Sequence, residues 1–274
     1  MSVKDFSESL IRLGHRIVLT LINVTEVLAP VLSDNNTDRM CTTFRLLDSI
    51  PHCNLRESFL IVEEIDLALK AFRAGQCVPT VLNPYVLDWR DTVTPPWSVD
   101  PNAQHVCMSP EAFLKGMYKQ NPQFFRPHAP HTDTLRALLA DNRLTNPKER
   151  RAAARELLRG SLERHMRQQA FIAPTGEDLE TFSDWVYDHP MYCPSFWISF
   201  LLYQRWVDNR TDAMNEGDTH DFNLALCLPY VDALTLDRRM LAYVQQAIRG
   251  TPLAHLESRL YPDLRTWFEK TGIQ

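Results

Sequence analysis

Residues 215–240 read NEGDTHDFNLALCLPYVDALTLDRRM and place two carboxylates at the start of a short apolar segment. Asp218 and Asp221 are three residues apart, and residues 222–228 have the composition of a short helix. Side chains at this spacing lie on one face of a helix turn. The sequence therefore predicts that Asp218 and Asp221 project from one side of a helix N-terminus.

The same stretch predicts a strand that ends in a third carboxylate. Pro229 turns the chain, residues 231–236 have the pattern of a buried β-strand, and Asp237 follows directly. Because this strand runs back past the helix, its carboxyl end would lie beside the N-terminus of the helix. We therefore expect Asp237 to come close to Asp218 and Asp221.

A fourth carboxylate follows a second predicted strand near the start of the chain. Residues 6–13 have helical spacing of apolar side chains, and residues 15–22 have the pattern of a buried strand. Asn23 or Thr25 can cap the next helix, so Glu26 would lie in its first turn, just past the carboxyl end of the strand. Hard divalent cations take oxygen ligands, and ligands beyond the carboxyl ends of parallel strands converge on one crevice. We therefore expect Glu26 to join the other three carboxylates.

Each of these acidic residues also has a simpler explanation. Aspartate in a first helical turn commonly caps the helix and stabilises it by about 1 kcal/mol. Asp237 alone would be a turn residue at a strand end, and Glu26 alone would be a solvated first-turn glutamate. Their joint placement favours a site over four unrelated structural roles.

Composition and charge exclude some classes of protein. The chain has 274 residues, of which 45% are hydrophobic and 23% are charged, so it can bury a large core. Its formal net charge of −5 argues against passive, sequence-independent coating of nucleic acid. A local basic patch is compatible with that charge: residues 148–167 carry an excess of arginine, which could hold RNA phosphates or form a solvated helix face.

The cysteines and the apolar segments predict a cytoplasmic protein. The six cysteines are dispersed without a CxxC pair, and the start of the chain lacks the form of a secretory signal. The longest apolar stretch, residues 196–207, is interrupted by Gln204 and Arg205 and is too short to span a bilayer. We expect reduced thiols and no membrane role.

The composition of the chain predicts a division into three parts. Residues 1–74 and 175–274 would form the two halves of an α/β core, and residues 75–174 would be an irregular and helical insertion. Prolines recur over residues 75–131, so we expect no regular sheet there. Further helices are predicted over residues 38–49, 55–74, 132–171 (as a pair), 179–187, 195–207, 241–248 and 253–268. One short strand is possible within the C-terminal part that contains the last two helices.

Residues 194–240 resemble the carboxyl-terminal half of PIN-domain-like nucleases. The shared features are a D-x-x-D at residues 218–221, an LPY-x-D at residues 228–232 and a closing T-x-D at residues 235–237. Upstream, HRIVLTLINVTEVLAP at residues 15–30 resembles the strand and helix that bear the second acidic residue of the family, here Glu26. The two pieces cover only part of the chain.

The resemblance implies a three-layer α/β fold, with a short parallel sheet flanked by helices, and a metal-dependent ribonuclease. The implied catalytic and metal-binding residues are Glu26, Asp218, Asp221 and Asp237, which would bind Mg²⁺ or Mn²⁺. Such an ion can lower the pKa of a bound water and offset charge on the transition state of phosphodiester hydrolysis. Asp232 precedes the strand and should lie at its opposite end, about 20 Å away, so we leave it out of the site.

The resemblance also implies partners. RNA would be the substrate, and the role would be that of a toxin or defence component or of an RNA-processing enzyme, between which the sequence does not choose. An antitoxin or another protein partner and a homodimer are compatible with such a role.

One departure from the family pattern motivates a second hypothesis. The first acidic residue of the family ends an apolar N-terminal strand, whereas residues 1–14 are helical and polar, and Asp5 lies on the wrong kind of element. Either the chain begins after that strand, or another segment fills its place. We therefore also consider a catalytically weak or inactive PIN-like module that binds RNA or a protein.

A third hypothesis rests on the adjacent His220 and Asp221, which resemble the HD dyad of metal phosphohydrolases. Those enzymes are all-helical and take further ligands from neighbouring helices. The strand predicted to end at Asp237 would be out of place in such a fold, so this hypothesis ranks below the nuclease.

Overall fold

The computed structural model describes residues 3–20, 22–24, 27, 37–76, 78–79, 82–86, 119, 147–168, 177–209 and 218–271. Two compact units account for the chain, the first comprising residues 1–58, 84–128 and 268–274 and the second residues 59–83 and 129–267. Most of the predicted insertion lies outside the described residues, and the predicted three-part division remains a prediction.

The first unit contains a three-stranded mixed sheet. β1 and β2 pair in parallel, with Ile17 opposite His52, and β3 pairs antiparallel with β2, with Leu55 opposite Tyr85. Its helices and strands are α1 (Val3–Arg12), β1 (Ile17–Leu19), α2 (Thr37–Asp48), β2 (His52–Leu55) and β3 (Tyr85–Val86).

The second unit is predominantly helical and carries a two-stranded parallel sheet in which Leu234 lies opposite Leu260. Its elements are α3 (Leu60–Arg73), α4 (Pro147–Gln168), α5 (Glu177–Asp188), α6 (Pro194–Asp208), α7 (Asp218–Ala225), β4 (Leu234–Thr235), α8 (Arg238–Ile248) and β5 (Leu260–Tyr261). Four 3-10 helices (Glu57–Phe59, Pro190–Tyr192, Leu228–Tyr230 and Ala254–Arg259) and α9 (Leu264–Thr271) complete the described elements.

Helix α3 lies at the centre of the second unit and contacts α4, α5 and α6. Its apolar side chains recur at helical spacing, and Leu60, Ile65 and Ala68 are almost completely buried. The helix ends at Arg73, and Gly75 follows with a φ of 62°, a conformation favourable for glycine. There Gly75 N donates to Phe72 O and Gln76 N donates to Ala71 O, a Schellman arrangement that satisfies the last carbonyls.

The structure confirms a helix-rich α/β class, but some predicted elements differ from the observed ones. The predicted helix over residues 55–74 begins only at Leu60, because residues 52–55 pair with β1 as a strand. Pairing with a neighbouring strand outweighs local helix preference at this point. β3 lies within residues 75–131, where we expected no regular sheet; Pro84 precedes it, so its missing N–H costs no ladder hydrogen bond.

The two strands that flank the predicted acidic site are shorter than expected and belong to different sheets. The strand predicted over residues 15–22 is observed as β1 in the mixed sheet. The strand predicted over residues 231–236 is observed as β4, which pairs with β5. β5 is a short strand in the C-terminal part of the chain, where the sequence allowed for one. Among the described residues, no helix combines the length and the apolar character that a membrane crossing requires.

We predict that Phe182→Ala lowers the free energy of unfolding by about 3–5 kcal/mol, because it removes a core aromatic ring. Phe182 is 0% exposed and its ring lies 5.4 Å from that of Phe72, between centroids. Leu157→Ala is the control on the neighbouring helix α4, since Leu157 is 38% exposed. Denaturant unfolding of both variants checks the prediction, and equal losses would contradict it.

Candidate functional site

Asp218, the first residue of α7, is held by an arginine from α8. Arg239 Nη2 donates to Asp218 Oδ2 at 2.6 Å, and the Asp218 side chain is 7% exposed against 29% for Arg239. Hydrogen bonds between two charged groups are shorter and stronger than neutral ones, and this one is partly shielded from water. The contact joins the N-terminal ends of α7 and α8, the region where the sequence predicted three carboxylates to meet.

Asp237 caps helix α8. Its Oδ1 accepts a hydrogen bond from Met240 N at 2.6 Å, and the residue is exposed. Asp221 lies one turn after Asp218 on α7 and is half-buried. Thus one predicted ligand caps a helix, one is ion-paired, and one lies beside the ion pair along the same helix.

The described residues contain no group of three or more histidine, cysteine, aspartate or glutamate side chains that could hold a metal ion. Glu26, the fourth predicted ligand, lies outside the described residues. The donor type suits Mg²⁺ or Mn²⁺, since both prefer oxygen ligands. The described donors alone do not complete a metal site.

Two neighbouring residues bear on the alternatives. Asp232 is exposed in the segment before β4, at the opposite end of the strand from Asp237, where the sequence reading placed it. His220 is 9% exposed on α7. The strand pair formed by β4 and β5 in the same unit disfavours the all-helical HD hypothesis.

The basic helix α4 uses its central arginine for contacts with α5. Arg155 donates to Asp184 Oδ1 at 2.6 Å and to Asp188 Oδ1 at 2.9 Å, and its guanidinium lies 4.7 Å from the centre of the Tyr187 ring. Arg159 pairs with Glu156 on the same helix. These contacts show that Arg155 and Arg159 are charge-paired within the protein.

A second polar centre surrounds Glu64 on α3. Its carboxylate is 1% exposed and accepts hydrogen bonds from Ser195 N at 2.9 Å, Phe196 N at 3.0 Å and Tyr230 Oη at 2.6 Å. Ser195 and Phe196 lie in the first turn of α6, and Cys193, which precedes that helix, makes no side-chain cap hydrogen bond. Glu64 therefore caps α6 from another helix and anchors the tyrosine of the LPY turn.

Burial controls the protonation of this centre. It raises the pKa of Glu64 from 4.5 to about 7, although the hydrogen bonds from Tyr230, Phe196 and Ser195 act in the opposite direction. Burial and the nearby carboxylate raise the pKa of Tyr230 and of Cys193 as well. Cys193 is 0% exposed, so its thiol is shielded from reagents in solution.

Glu64 lines a cleft of about 380 Å³ in the second unit. Apolar side chains provide most of the walls. The polar side chains that line the cleft are those of Glu64, Tyr192, Tyr230, His255 and Arg259. Arg259 Nη1 also donates to the backbone oxygens of Pro229 and Val231, at 3.2 and 3.0 Å, and thereby fixes the LPY turn.

The sequence contained a signal for this centre. Glu64 is four residues after Leu60 and four before Ala68, so helical spacing places it on the buried face of α3. A glutamate on an apolar face needs hydrogen-bond partners. The spacing does not identify those partners, which lie more than 130 residues further along the chain.

Comparisons with protein-family models, with curated proteins and with solved structures find no match to this chain.

We predict that Asp218 and Arg239 are energetically coupled. Asp218→Asn and Arg239→Gln should each lower the free energy of unfolding by about 1–3 kcal/mol, because each leaves a partly buried charge without its partner. The double variant should lose less than the sum, with a coupling energy of about 0.5–3 kcal/mol in denaturant unfolding. Arg238→Gln, which changes the exposed neighbouring arginine, is the control; strict additivity would contradict the prediction.

We predict that Glu64 makes stability depend on pH. Because its folded-state pKa is raised, its contribution is complete below pH 4.5 and is lost as the pH rises to about 7. Relative to Glu64→Gln, the free energy of unfolding of the wild type should fall over this window by an amount on the order of 3 kcal/mol. Denaturant unfolding at a series of pH values measures the difference.

Tyr230→Phe supplies the internal check on that prediction. The hydrogen bond from Tyr230 lowers the pKa of Glu64, so its removal should move the window of stability loss to higher pH. A difference between wild type and Glu64→Gln that stays constant from pH 4 to pH 8 would contradict a raised pKa of Glu64 in the folded state.

Proposed function

We propose that this chain is a PIN-like, metal-dependent endoribonuclease whose acidic site includes Asp218, Asp221 and Asp237, with Glu26 as the fourth acidic residue. The observation that carries the proposal is the 2.6 Å contact between Asp218 and Arg239. This contact brings the D-x-x-D motif on α7 next to the start of α8, which directly follows the T-x-D motif. The proposed site requires these two motifs to lie close together. The observed α/β class is compatible with the proposal.

The cofactor in this proposal is Mg²⁺ or Mn²⁺, and the substrate is RNA. A divalent ion held by carboxylates supplies an activated water and offsets charge on the phosphate. Arg239 contributes a cation at the same place, and a guanidinium is suited to phosphate oxygens. The proposed roles are those of a toxin, a defence component or an RNA-processing enzyme, with an antitoxin or another protein as a partner.

A second candidate is a catalytically weak or inactive PIN-like module that binds RNA or a protein. The observation in its favour is that two of the predicted ligands already have structural roles. Asp218 is neutralised by Arg239, and Asp237 caps α8. Titration calorimetry that shows RNA binding without Mg²⁺ or Mn²⁺ binding would select this candidate.

We predict that the purified chain cleaves RNA in the presence of Mn²⁺ and that Asp237→Asn abolishes the cleavage. Asparagine caps helices about as well as aspartate, so the variant should keep the fold while it loses the charge. A fall in rate of at least about a hundredfold, measured on a labelled single-stranded RNA, is the expected result for loss of a charged catalytic group.

Asp232→Asn is the matched control for this experiment. It makes the same chemical change at an exposed aspartate only five residues away in the sequence, outside the proposed site. Unfolding curves of both variants establish that the fold is kept. Full cleavage by Asp237→Asn, or an equal loss in both variants, would refute the proposed site.

A further inference from the structure

Tyr203 on α6 presents an aromatic ring at the surface of the second unit. It is 37% exposed, whereas the other aromatic side chains of this helix are buried. They are Phe196, Trp197, Phe200 and Trp206. The Tyr203 ring packs against the buried rings of Phe222 and Trp206, with centroids 4.9 and 6.1 Å away, and those two rings stack on each other at 5.0 Å. Buried neighbours therefore hold the exposed ring in place.

The ring of Tyr203 adjoins the acidic turn of α7. Phe222 directly follows Asp221 and lies four residues after Asp218, so Phe222 and Asp218 share one face of the helix. Because the Tyr203 ring packs against Phe222, it lies next to the turn that carries both aspartates. The proposed nuclease site includes both of these aspartates.

An exposed arginine lies beside Tyr203. Burial raises the pKa of Tyr203, and the positive charge of Arg164 on α4 acts in the opposite direction, which places the guanidinium near the phenol. The next residue along α4, His165, packs edge-on against Phe196 of α6, with ring centroids 5.9 Å apart. α4 and α6 thus bring Arg164 and Tyr203 to one surface.

The charge of Arg164 is available to a ligand. Arg155 and Arg159 on the same helix are ion-paired with carboxylates of the protein. Arg164 is exposed and has no ion-pair partner among the described residues. A guanidinium binds phosphate oxygens, and an aromatic ring beside it offers a face on which a base stacks.

We propose that Tyr203 and Arg164 form a surface that binds single-stranded RNA, with a base stacked on the Tyr203 ring and a phosphate held by Arg164. The choice of RNA rests on the proposed nuclease function, and the two residues would hold the strand beside the aspartates of α7. Binding at this surface needs no metal ion.

The chemistry of the surface selects a single strand without strong sequence preference. The bases of a duplex stack on one another and leave no free face for a side chain, whereas the bases of a single strand can stack on an aromatic ring. Every base has such a face, so stacking on Tyr203 discriminates little between bases. Arg164 contacts the backbone, which is the same at every position.

Fluorescence anisotropy in EDTA-containing buffer tests the role of Tyr203, with a labelled oligouridylate of about ten nucleotides as the probe. We expect saturable binding with a dissociation constant at or below about 100 μM. Tyr203→Leu should weaken the binding at least about fivefold, the lower limit for loss of one stacked base. Tyr187→Leu is the matched control and should keep the affinity, because the arginine beside Tyr187, Arg155, already has carboxylate partners.

The salt dependence of the same binding tests the role of Arg164. Loss of one phosphate contact to a single strand lowers the slope of log K against log salt concentration by about 0.7. Arg164→Gln should show this smaller slope. Arg159→Gln, which removes an arginine that is paired with Glu156 on the same helix, should keep the wild-type slope.

An abasic strand separates stacking from a purely structural role of Tyr203. This probe keeps the ribose and the phosphates but has no bases. Tyr203→Leu and the wild type should therefore bind it equally, whereas Arg164→Gln should still bind it more weakly than the wild type. If Tyr203→Leu loses the same factor on the abasic strand as on the oligouridylate, no base stacks on Tyr203 and the proposal is overturned.

Further outcomes separate this surface from the nuclease site. Absent saturation of the wild type at about 100 μM, or unchanged affinity in either Tyr203→Leu or Arg164→Gln, overturns the proposal. Strand binding that depends on both residues, without cleavage in Mn²⁺, leaves the proposal standing while the nuclease proposal fails. Cleavage in Mn²⁺ together with unchanged affinity of both variants does the reverse.

Discussion

The second unit depends on a single buried carboxylate. Glu64 satisfies two backbone N–H groups at the start of α6 and holds the hydroxyl of Tyr230. Removal of this group would leave buried donors without acceptors, which costs more than the net value of the hydrogen bonds themselves. The same carboxylate is itself costly to bury. Its three hydrogen-bond donors offset part of that cost, and the rest appears as a raised pKa, because burial favours the neutral form.

Local patterns predicted the elements better than they predicted the partners of each side chain. Helical spacing located α3, α5, α6 and α8, and the acidic first turn of α7 was also predicted correctly. Strand pairing between distant segments was not predicted. β2 was missed, with only Leu55 inside a predicted helix, and β1 and β4 lie in different sheets. Strand pairing and ion-pair partners depend on tertiary contacts between distant segments. The spacing of residues within one segment does not show which segments meet.

The candidate acidic site shows the same division. The sequence placed Asp218 and Asp221 on one helix turn, as observed. It placed Asp237 at the end of a strand, whereas the structure shows Asp237 as the N-cap of α8. The counter-charge of Asp218, Arg239, was not predicted, because the spacing along one segment does not fix which side chain of a neighbouring helix it meets. Whether the site also includes Glu26 remains a prediction, since that residue lies outside the described residues.

The hydrogen bonds of Glu64 also bear on how the chain reaches its native state. They connect residues that are 131, 132 and 166 positions apart in the sequence. Contacts of such long range form only after large loops have closed, so they slow folding in proportion to their share of the structure. Interactions that are absent from the transition state act mainly on the unfolding rate. The Glu64 cluster should therefore govern how long the folded unit persists, more than how quickly it forms.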